Sequence, residues 1–225
     1  GVAAADHDDV FAVSAQLALD LAAAVVFATT GALVASRKEM DFVGFLWLGV
    51  ITGIGGGTLR DLLLGLPVFW VVDPTPVALC LLAAGVVHFT AHLISSRYRL
   101  LLYLDAFGMA LVTIAGTAKG LDAGAGPLVA LVMGVITAAF GGILRDLLGQ
   151  EPSILLRRDI YVSASAAGAA LFLGALWAGL PRELAMGLGL TTAAGIRCAA
   201  IWGNWALPVY RARPGRDVDD KGGVE

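Results

Sequence analysis

The segment Gly55–Asp61, with the sequence GGGTLRD, returns 85 residues later as FGGILRD at Phe140–Asp146. When the chain is aligned with itself at this offset, Leu46–Leu63 meets Leu131–Leu148, and 12 of the 18 aligned positions are identical. This identity over a continuous apolar segment indicates an internal duplication. Each copy places glycines and an Arg-Asp pair inside an apolar segment, a combination that is costly in lipid and typical of a functional site.

Composition identifies the class of protein. The 225 residues are 58% hydrophobic and only 15% charged, and the mean hydropathy is +0.83, which is too apolar for a soluble domain of this size. Seven segments are long enough to cross about 30 Å of hydrocarbon as helices. We therefore predict an all-α integral membrane protein. Its predicted spans are Ala15–Ala35, Phe42–Leu64, Pro76–Ile94, Leu100–Lys119, Pro127–Leu148, Ile160–Ala178 and Leu184–Leu207.

The duplication and the spans together predict the domain organisation. The first three helices form one repeat, residues 15–95, and the next three form a second, residues 100–179. Because three is odd, the second repeat enters the membrane from the opposite side. Inverted repeats of this kind surround the substrate site in many transporters. The remaining predicted units are a polar N-terminal segment (1–14), a seventh helix (183–208) and a disordered cytoplasmic tail (209–225).

Basic residues are concentrated on one side of the predicted topology. That side carries ten of them, against only Lys119 and Arg182 on the other. By the positive-inside rule, the N-terminus is outside and the C-terminus is cytoplasmic. The ten residues are Arg37, Lys38, Arg97, Arg99, Arg157, Arg158, Arg211, Arg213, Arg216 and Lys221.

The glycine runs predict a conduction pathway. Consecutive glycines cost about 1 kcal/mol each in a helix and favour a kink that releases backbone carbonyls, which are suitable ligands for a dehydrated alkali cation. The alternative is close helix packing through small residues. Phe140 replaces the first glycine of the second copy, and either constricts the pathway or packs in the core. The pathway residues are Gly53, Gly55, Gly56, Gly57, Thr58, Phe140, Gly141 and Gly142.

The duplication also relates two acidic residues, Asp20 and Asp105. Because an unpaired charge at the centre of a membrane helix costs about 2.5–3.5 kcal/mol, we predict the ion pairs Asp20–Arg60 and Asp105–Arg145, one toward each mouth. The pairs either lock helix to helix or shape the field and move during gating. The adjacent carboxylates assigned to the same clusters are Asp61 and Asp146.

Other polar residues in the spans suggest no chemistry. Lys119 meets lipid headgroups or the pore mouth, and Arg197 has as candidate partners a carboxylate, backbone carbonyls or a lipid phosphate. His88 and His92 are one turn apart, but no third metal ligand accompanies them. The spans contain no nucleophile–base pair and no metal cluster, so we expect no enzyme and no metal. We also expect no cofactor and no nucleic-acid partner.

These motifs resemble the bacterial branch of the trimeric intracellular cation (TRIC) channel family, whose relatives include proteins known as glycine transporters. The resemblance extends over about Ala15–Pro208. The residues that carry it are Ser36-Arg37-Lys38, Gly55 to Asp61, Pro67-Val68-Phe69-Trp70, Gly141 to Asp146, and Arg197 with Asn204-Trp205-Ala206-Leu207-Pro208.

The resemblance implies a fold and a function. Seven-helix protomers with two inverted repeats would form a homotrimer in the bacterial inner membrane, in contact with membrane lipids. Each protomer would contain its own potassium-selective pore, lined by the second and fifth spans, with gating at their glycine kinks. The alternative is a secondary transporter of a small zwitterion such as glycine, held between the charged ends of broken helices.

Overall fold

A computed structural model describes residues 7–151 and 160–206 of the chain. The predicted cytoplasmic tail lies outside these ranges. So do six of the ten basic residues on which the predicted topology depends, namely Arg157, Arg158, Arg211, Arg213, Arg216 and Lys221. The helices are α1 (His7–Arg37), α2 (Phe42–Leu63), α3 (Phe69–Val72), α4 (Thr75–Thr90), α5 (Arg97–Asp122), α6 (Pro127–Leu148), α7 (Val162–Trp177) and α8 (Arg182–Gly203), with a 3-10 turn at Ala91–Leu93 after α4.

The predicted fold class is confirmed. Within the described residues, six helices are long and apolar enough to cross a membrane, and α7 is a shorter apolar helix of 16 residues. The seven predicted spans correspond to α1, α2, α4, α5, α6, α7 and α8. Helix α1 begins at His7, well ahead of the predicted Ala15, and the other helix ends agree with the predicted spans within four residues. The short helix α3 was not predicted. A four-residue helix is too short to produce a periodic apolar pattern.

Residues at the helix ends explain where several helices begin and end. The side chain of Asp41 accepts a hydrogen bond of 2.7 Å from the backbone N–H of Gly44, which caps the N-terminus of α2. Ser96 caps α5 in the same way. Asn204 takes the left-handed conformation (φ 50°) that ends α8.

The two repeats pack against each other through equivalent helices. Helix α1 contacts α5, and α2 contacts α6, so the first two helices of each repeat meet their counterparts across the pseudo-two-fold axis. Helix α8, which lies outside the duplication, packs on α7 and α5. The interior is built largely from alanine, glycine and threonine, and such small residues let helix backbones approach closely in a membrane.

Candidate functional site: two charged clusters joined by a helix crossing

The glycine runs lie where α2 crosses α6. A methyl group on Gly141 would lie 2.8 Å from the carbonyl oxygen of Thr52, and one on Gly56 would lie still closer to the carbonyl oxygen of Thr137. The offset of 85 residues relates Thr52 to Thr137 and Gly56 to Gly141. The crossing is therefore a reciprocal contact, in which each repeat places its glycine against the threonine backbone of the other.

Helices α2 and α6 both continue through their glycines without interruption. The predicted kink that releases backbone carbonyls stays a prediction. A neighbouring helix packs closely against most of these glycines. A methyl group would lie 2.7 Å from the Ala24 oxygen at Gly53, 2.6 Å from Leu144 Cδ1 at Gly55 and 2.7 Å from the Phe69 ring at Gly57.

Two other pathway residues have different surroundings. Thr58 accepts a hydrogen bond of 2.8 Å from Trp70 Nε1 and donates one of 2.7 Å to the oxygen of Ile54, so its hydroxyl holds α3 against the end of α2. Phe140 is half-buried on α6.

The first cluster, here the Arg60 cluster, consists of Asp20, Arg60, Asp61 and Lys119. The predicted Asp20–Arg60 contact is present, with Nη1 2.8 Å from Oδ1. Oδ1 of Asp61 lies 2.9 Å from both Arg60 Nε and Lys119 Nζ. Its Oδ2 accepts the backbone N–H of Phe69 at 2.9 Å. These contacts compensate the charges of Arg60 and Asp61, which are fully buried, and such compensation is the condition for tolerating buried charges inside a protein.

A cavity of about 380 Å³ opens beside the Arg60 cluster. Asp20, Lys119 and Asp73 line it, so both signs of charge face the same space. Hydrogen bonds from the Thr75 hydroxyl and from the Thr75 backbone N–H lower the pKa of Asp73, which lies outside the spans. The carboxylate of Asp73 therefore stays ionised at neutral pH.

The second cluster, here the Arg145 cluster, consists of Thr30, Asp105, Arg145 and Asp146. The predicted Asp105–Arg145 contact is present, with Nη1 2.6 Å from Oδ1. Asp146 Oδ1 lies 2.9 Å from Arg145 Nη2, and Thr30 Oγ1 accepts a hydrogen bond of 3.1 Å from Arg145 Nη1. All four residues are buried, Asp105 with a relative exposure of 1%.

The clusters lie at opposite ends of the helix crossing. Asp20 of the Arg60 cluster and Thr30 of the Arg145 cluster are ten residues apart on α1, which corresponds to about 15 Å along a helix. Each arginine also stands four residues beyond the contact glycine of its own helix, Gly56 or Gly141. The duplicated motif thus builds one contact at the middle of the molecule and one charged cluster toward each end.

Three remaining sequence candidates have the following positions. Arg197 is buried on α8, with its guanidinium carbon 5.5 Å from the centre of the Tyr161 ring. His88 sits among aromatic rings, 4.7 Å from Phe45 between ring centres, and His92 is exposed. Within residues 7–151 and 160–206, no group of three potential ligands could hold a metal ion.

The sequence did not indicate several contacts of these clusters. Lys119 is bound to Asp61 across 58 residues of chain, and Thr30 joins Arg145 across 115. The duplication does not predict these two contacts, because the counterpart of Lys119 is Val34 and that of Thr30 is Ala115. These contacts join α5 to α2 and α1 to α6, so only the packing of the helices brings the side chains together.

Known proteins are similar to this chain over most of its length. A family model described as glycine transporter matches the chain twice, over residues 17–92 and 102–177, and the two matches are themselves 85 residues apart. The UPF0126 inner membrane protein YadS of Escherichia coli (strain K12) is 40% identical over 198 residues, covering 85% of this chain and 94% of that protein. A UPF0126 membrane protein of Vibrio cholerae is 34% identical over 197 residues, covering 85% and 81%.

Solved structures with the same fold are channels. The TRIC trimeric intracellular cation channel orthologue from Rhodobacter sphaeroides is 53% identical, with a TM-score of 0.81 over 84% of this chain and 98% of that one. A further TRIC cation channel is 28% identical, with a TM-score of 0.76 over 88% and 98%. The chain therefore belongs to the family described by the glycine-transporter model, and within it to the bacterial branch of the TRIC channels.

Proposed function

We propose that the protein is a monovalent cation channel that prefers potassium and has one pathway in each protomer. The observation that carries this proposal is the pair of buried arginine–carboxylate clusters at the two ends of one glycine-mediated helix crossing. Charged residues within membrane spans mark ion pathways, because lipid penalises them elsewhere. The TRIC cation channels to which the chain is similar support the same function.

The proposed pathway enters at the cavity beside the Arg60 cluster, passes the α2–α6 crossing and leaves at the Arg145 cluster. In the conformation described, contacts at Gly56 and Gly141 close the crossing. Opening requires α2 and α6 to separate or rotate, and glycines lower the cost of such backbone changes. In this proposal the route is bordered by Thr58, Phe140 and Gly142. The arginine–carboxylate pairs hold the ends of the helices in the closed conformation and release them on opening.

The proposed setting is a homotrimer in the bacterial inner membrane, surrounded by lipids. The Escherichia coli relative YadS is an inner membrane protein, and the similar channel from Rhodobacter sphaeroides is trimeric. The Arg60 cluster then faces the outside and the Arg145 cluster the cytoplasm, following the distribution of basic loops. The permeant ion is potassium, and no cofactor is needed. Membership of this family also means that the chain is not an enzyme.

Reconstitution tests the channel. Purified protein in a planar bilayer with symmetric potassium chloride should give unitary current steps, whose reversal potential in a potassium chloride gradient follows potassium. Vesicles with the same protein should show no saturable glycine uptake. Folded trimers that give no unitary current under either polarity would refute the proposal.

One observation favours the zwitterion transporter as a second candidate. The cavity beside the Arg60 cluster is lined by Lys119 and by the acidic residues Asp20, Asp73 and Asp122, a combination that suits a carboxylate and an ammonium in one small ligand. The family model also has the description glycine transporter. Saturable uptake of radiolabelled glycine, without unitary currents, would establish this candidate in place of the channel.

A further inference from the structure

The carbonyl of Ala138, one turn before Gly142 in α6, is bonded from outside its own helix. The hydroxyl of Tyr161 donates a hydrogen bond of 3.0 Å to this carbonyl oxygen. In an α-helix, the carbonyl of Ala138 is also the acceptor for the backbone N–H of Gly142. A side chain that enters this hydrogen-bond ladder is one of the known causes of helix bending. The hydroxyl therefore marks Gly142 as a place where α6 can bend without leaving a buried acceptor unpaired.

Neighbouring elements fix the position of Tyr161. The residue immediately precedes α7, and it is only 3% exposed. The guanidinium carbon of Arg197, on α8, lies 5.5 Å from the centre of its ring, a distance at which a cation attracts an aromatic ring. Helix α8, which lies outside the duplication, thus helps to hold the hydroxyl against α6.

The surroundings of Gly142 leave room for movement. Apart from the backbone of α6 itself, the atom nearest to the place of a Cβ there is Arg145 Nη2 at 3.7 Å, an ordinary van der Waals contact. At the preceding residue, Gly141, a methyl group would lie 2.8 Å from a backbone oxygen of α2. The tight contact of the crossing therefore stops one residue before Gly142.

The first repeat lacks both the donor and the room. The offset of 85 residues relates Tyr161 to Pro76, which has neither a hydroxyl nor a backbone N–H to donate. The same offset relates Gly142 to Gly57, where a methyl group would lie 2.7 Å from the ring of Phe69. Helix α2 is therefore held at the position where α6 has an additional donor and open surroundings.

We propose that α6 bends at Gly142 when the pathway opens, whereas α2 does not, and that Tyr161 is the positioning residue for this hinge. When the N–H of Gly142 moves away from the carbonyl of Ala138, the Tyr161 hydroxyl keeps that carbonyl bonded. Bending at this point moves the segment of α6 that carries Arg145 relative to α2. The inference deepens the proposed channel function and rests on it.

Single-channel recording of the full-length protein in planar bilayers tests the positioning role. Tyr161→Phe removes the hydroxyl and keeps the ring. We expect the ratio of open to closed time to fall about tenfold, because the bent helix then has an unpaired buried carbonyl, and we expect an unchanged unitary conductance. A hydroxyl that only stabilised the fold would lower the Tm and leave this ratio unchanged. Tyr103→Phe, at a position that is 38% exposed on α5, is the control and should keep the wild-type ratio.

A second variant tests the hinge itself. Gly142→Ala adds a methyl group that the surroundings accommodate, but alanine favours a regular helix more than glycine does. We therefore expect a lower ratio of open to closed time in a stable protein. Gly85→Ala is the control, since nothing lies within 4 Å of the place of its Cβ, and it should keep the wild-type ratio. This variant also tests the hinge if Tyr161→Phe does not fold.

Hydrogen–deuterium exchange tests the hinge without any current. Amide hydrogens exchange when their hydrogen bonds open locally. In the wild-type protein in detergent, peptides that contain Gly142 should exchange faster than peptides that contain Gly57. Tyr161→Phe should slow the exchange at Gly142, because opening this part of the ladder then leaves the Ala138 carbonyl without a donor.

Three results would overturn the inference: an unchanged open-to-closed ratio in Tyr161→Phe, equal exchange at Gly57 and Gly142, or an altered unitary conductance, which would place the hydroxyl in the pathway itself. The channel function fails separately. Currents that are insensitive to Tyr161→Phe overturn only the hinge. Exchange that slows in Tyr161→Phe, in a protein that gives no current, supports the hinge and overturns the channel.

Discussion

Gly56 of α2 lies directly against the carbonyl oxygen of Thr137 of α6, with no room for a methyl group between them. Gly56→Ala should therefore destabilise the protein. A clash with backbone cannot be relieved by a side-chain rotation, so we expect a loss near the upper end of the usual overpacking cost of about 1–3 kcal/mol. Chemical denaturation in detergent, followed by tryptophan fluorescence, measures the free energy of unfolding.

Gly85 provides the matched control for this substitution. It lies within α4, and nothing lies within 4 Å of the place of its Cβ. Gly85→Ala should leave stability unchanged or raise it by up to about 1 kcal/mol, the difference in helix propensity. Equal effects of the two substitutions would show that the crossing is not tight in solution.

Removing the buried arginine should cost far more than removing an exposed one. Arg60→Gln leaves Asp20 and Asp61 without their shared partner, and breaking such a buried pair costs about 3–5 kcal/mol. The comparison is Arg182→Gln, which breaks the partly exposed pair with Asp122 and should cost about 0–1 kcal/mol. Free energies of unfolding measured for both variants check the difference.

Charge reversal at the same position separates a structural role from a gating role. If the Arg60 pairs only lock the helices, Arg60→Glu should abolish assembly, as judged by size-exclusion chromatography. An intact Arg60→Glu protein with altered open probability would contradict the purely structural role and support gating.

The ring of Phe140 should restrict the proposed pathway. Phe140→Ala is expected to raise the unitary conductance, because it removes an aromatic ring from the proposed route beside the glycines of the crossing. Phe89→Ala is the control, since Phe89 is 69% exposed on α4, away from the crossing. An unchanged conductance, together with reduced stability, would show that Phe140 packs in the core.

Lys119 should set the potential at the mouth of the cavity. Lys119→Met removes a positive charge, so the cavity should concentrate cations and the unitary conductance should rise. The rise should be largest at low ionic strength, because salt screens exposed charges. Lys119→Arg keeps the charge and should keep the wild-type conductance. If Lys119→Met has the wild-type conductance at both low and high salt, this prediction is wrong.

The amino-acid sequence by itself was sufficient to predict the membrane class, the approximate spans and the inverted duplication. The class and the spans follow from the length of the apolar segments, and the duplication follows from the repeated motif. Each of these features can be recognised in the sequence without knowing which helices are in contact. The pairs Asp20–Arg60 and Asp105–Arg145 could be predicted as well, because the offset of 85 residues relates them and lipid forces buried charges to pair.

Only the tertiary structure decided what the glycines do and how each cluster is completed. Gly56 and Gly141 each receive the backbone of the facing helix, which no propensity predicts because it depends on the α2–α6 crossing. Likewise, Lys119 reaches Asp61 from a helix of the other repeat, whereas Oδ2 of Asp105 receives no donor. Such contacts join residues that are distant in sequence, and the geometry of helix packing determines them.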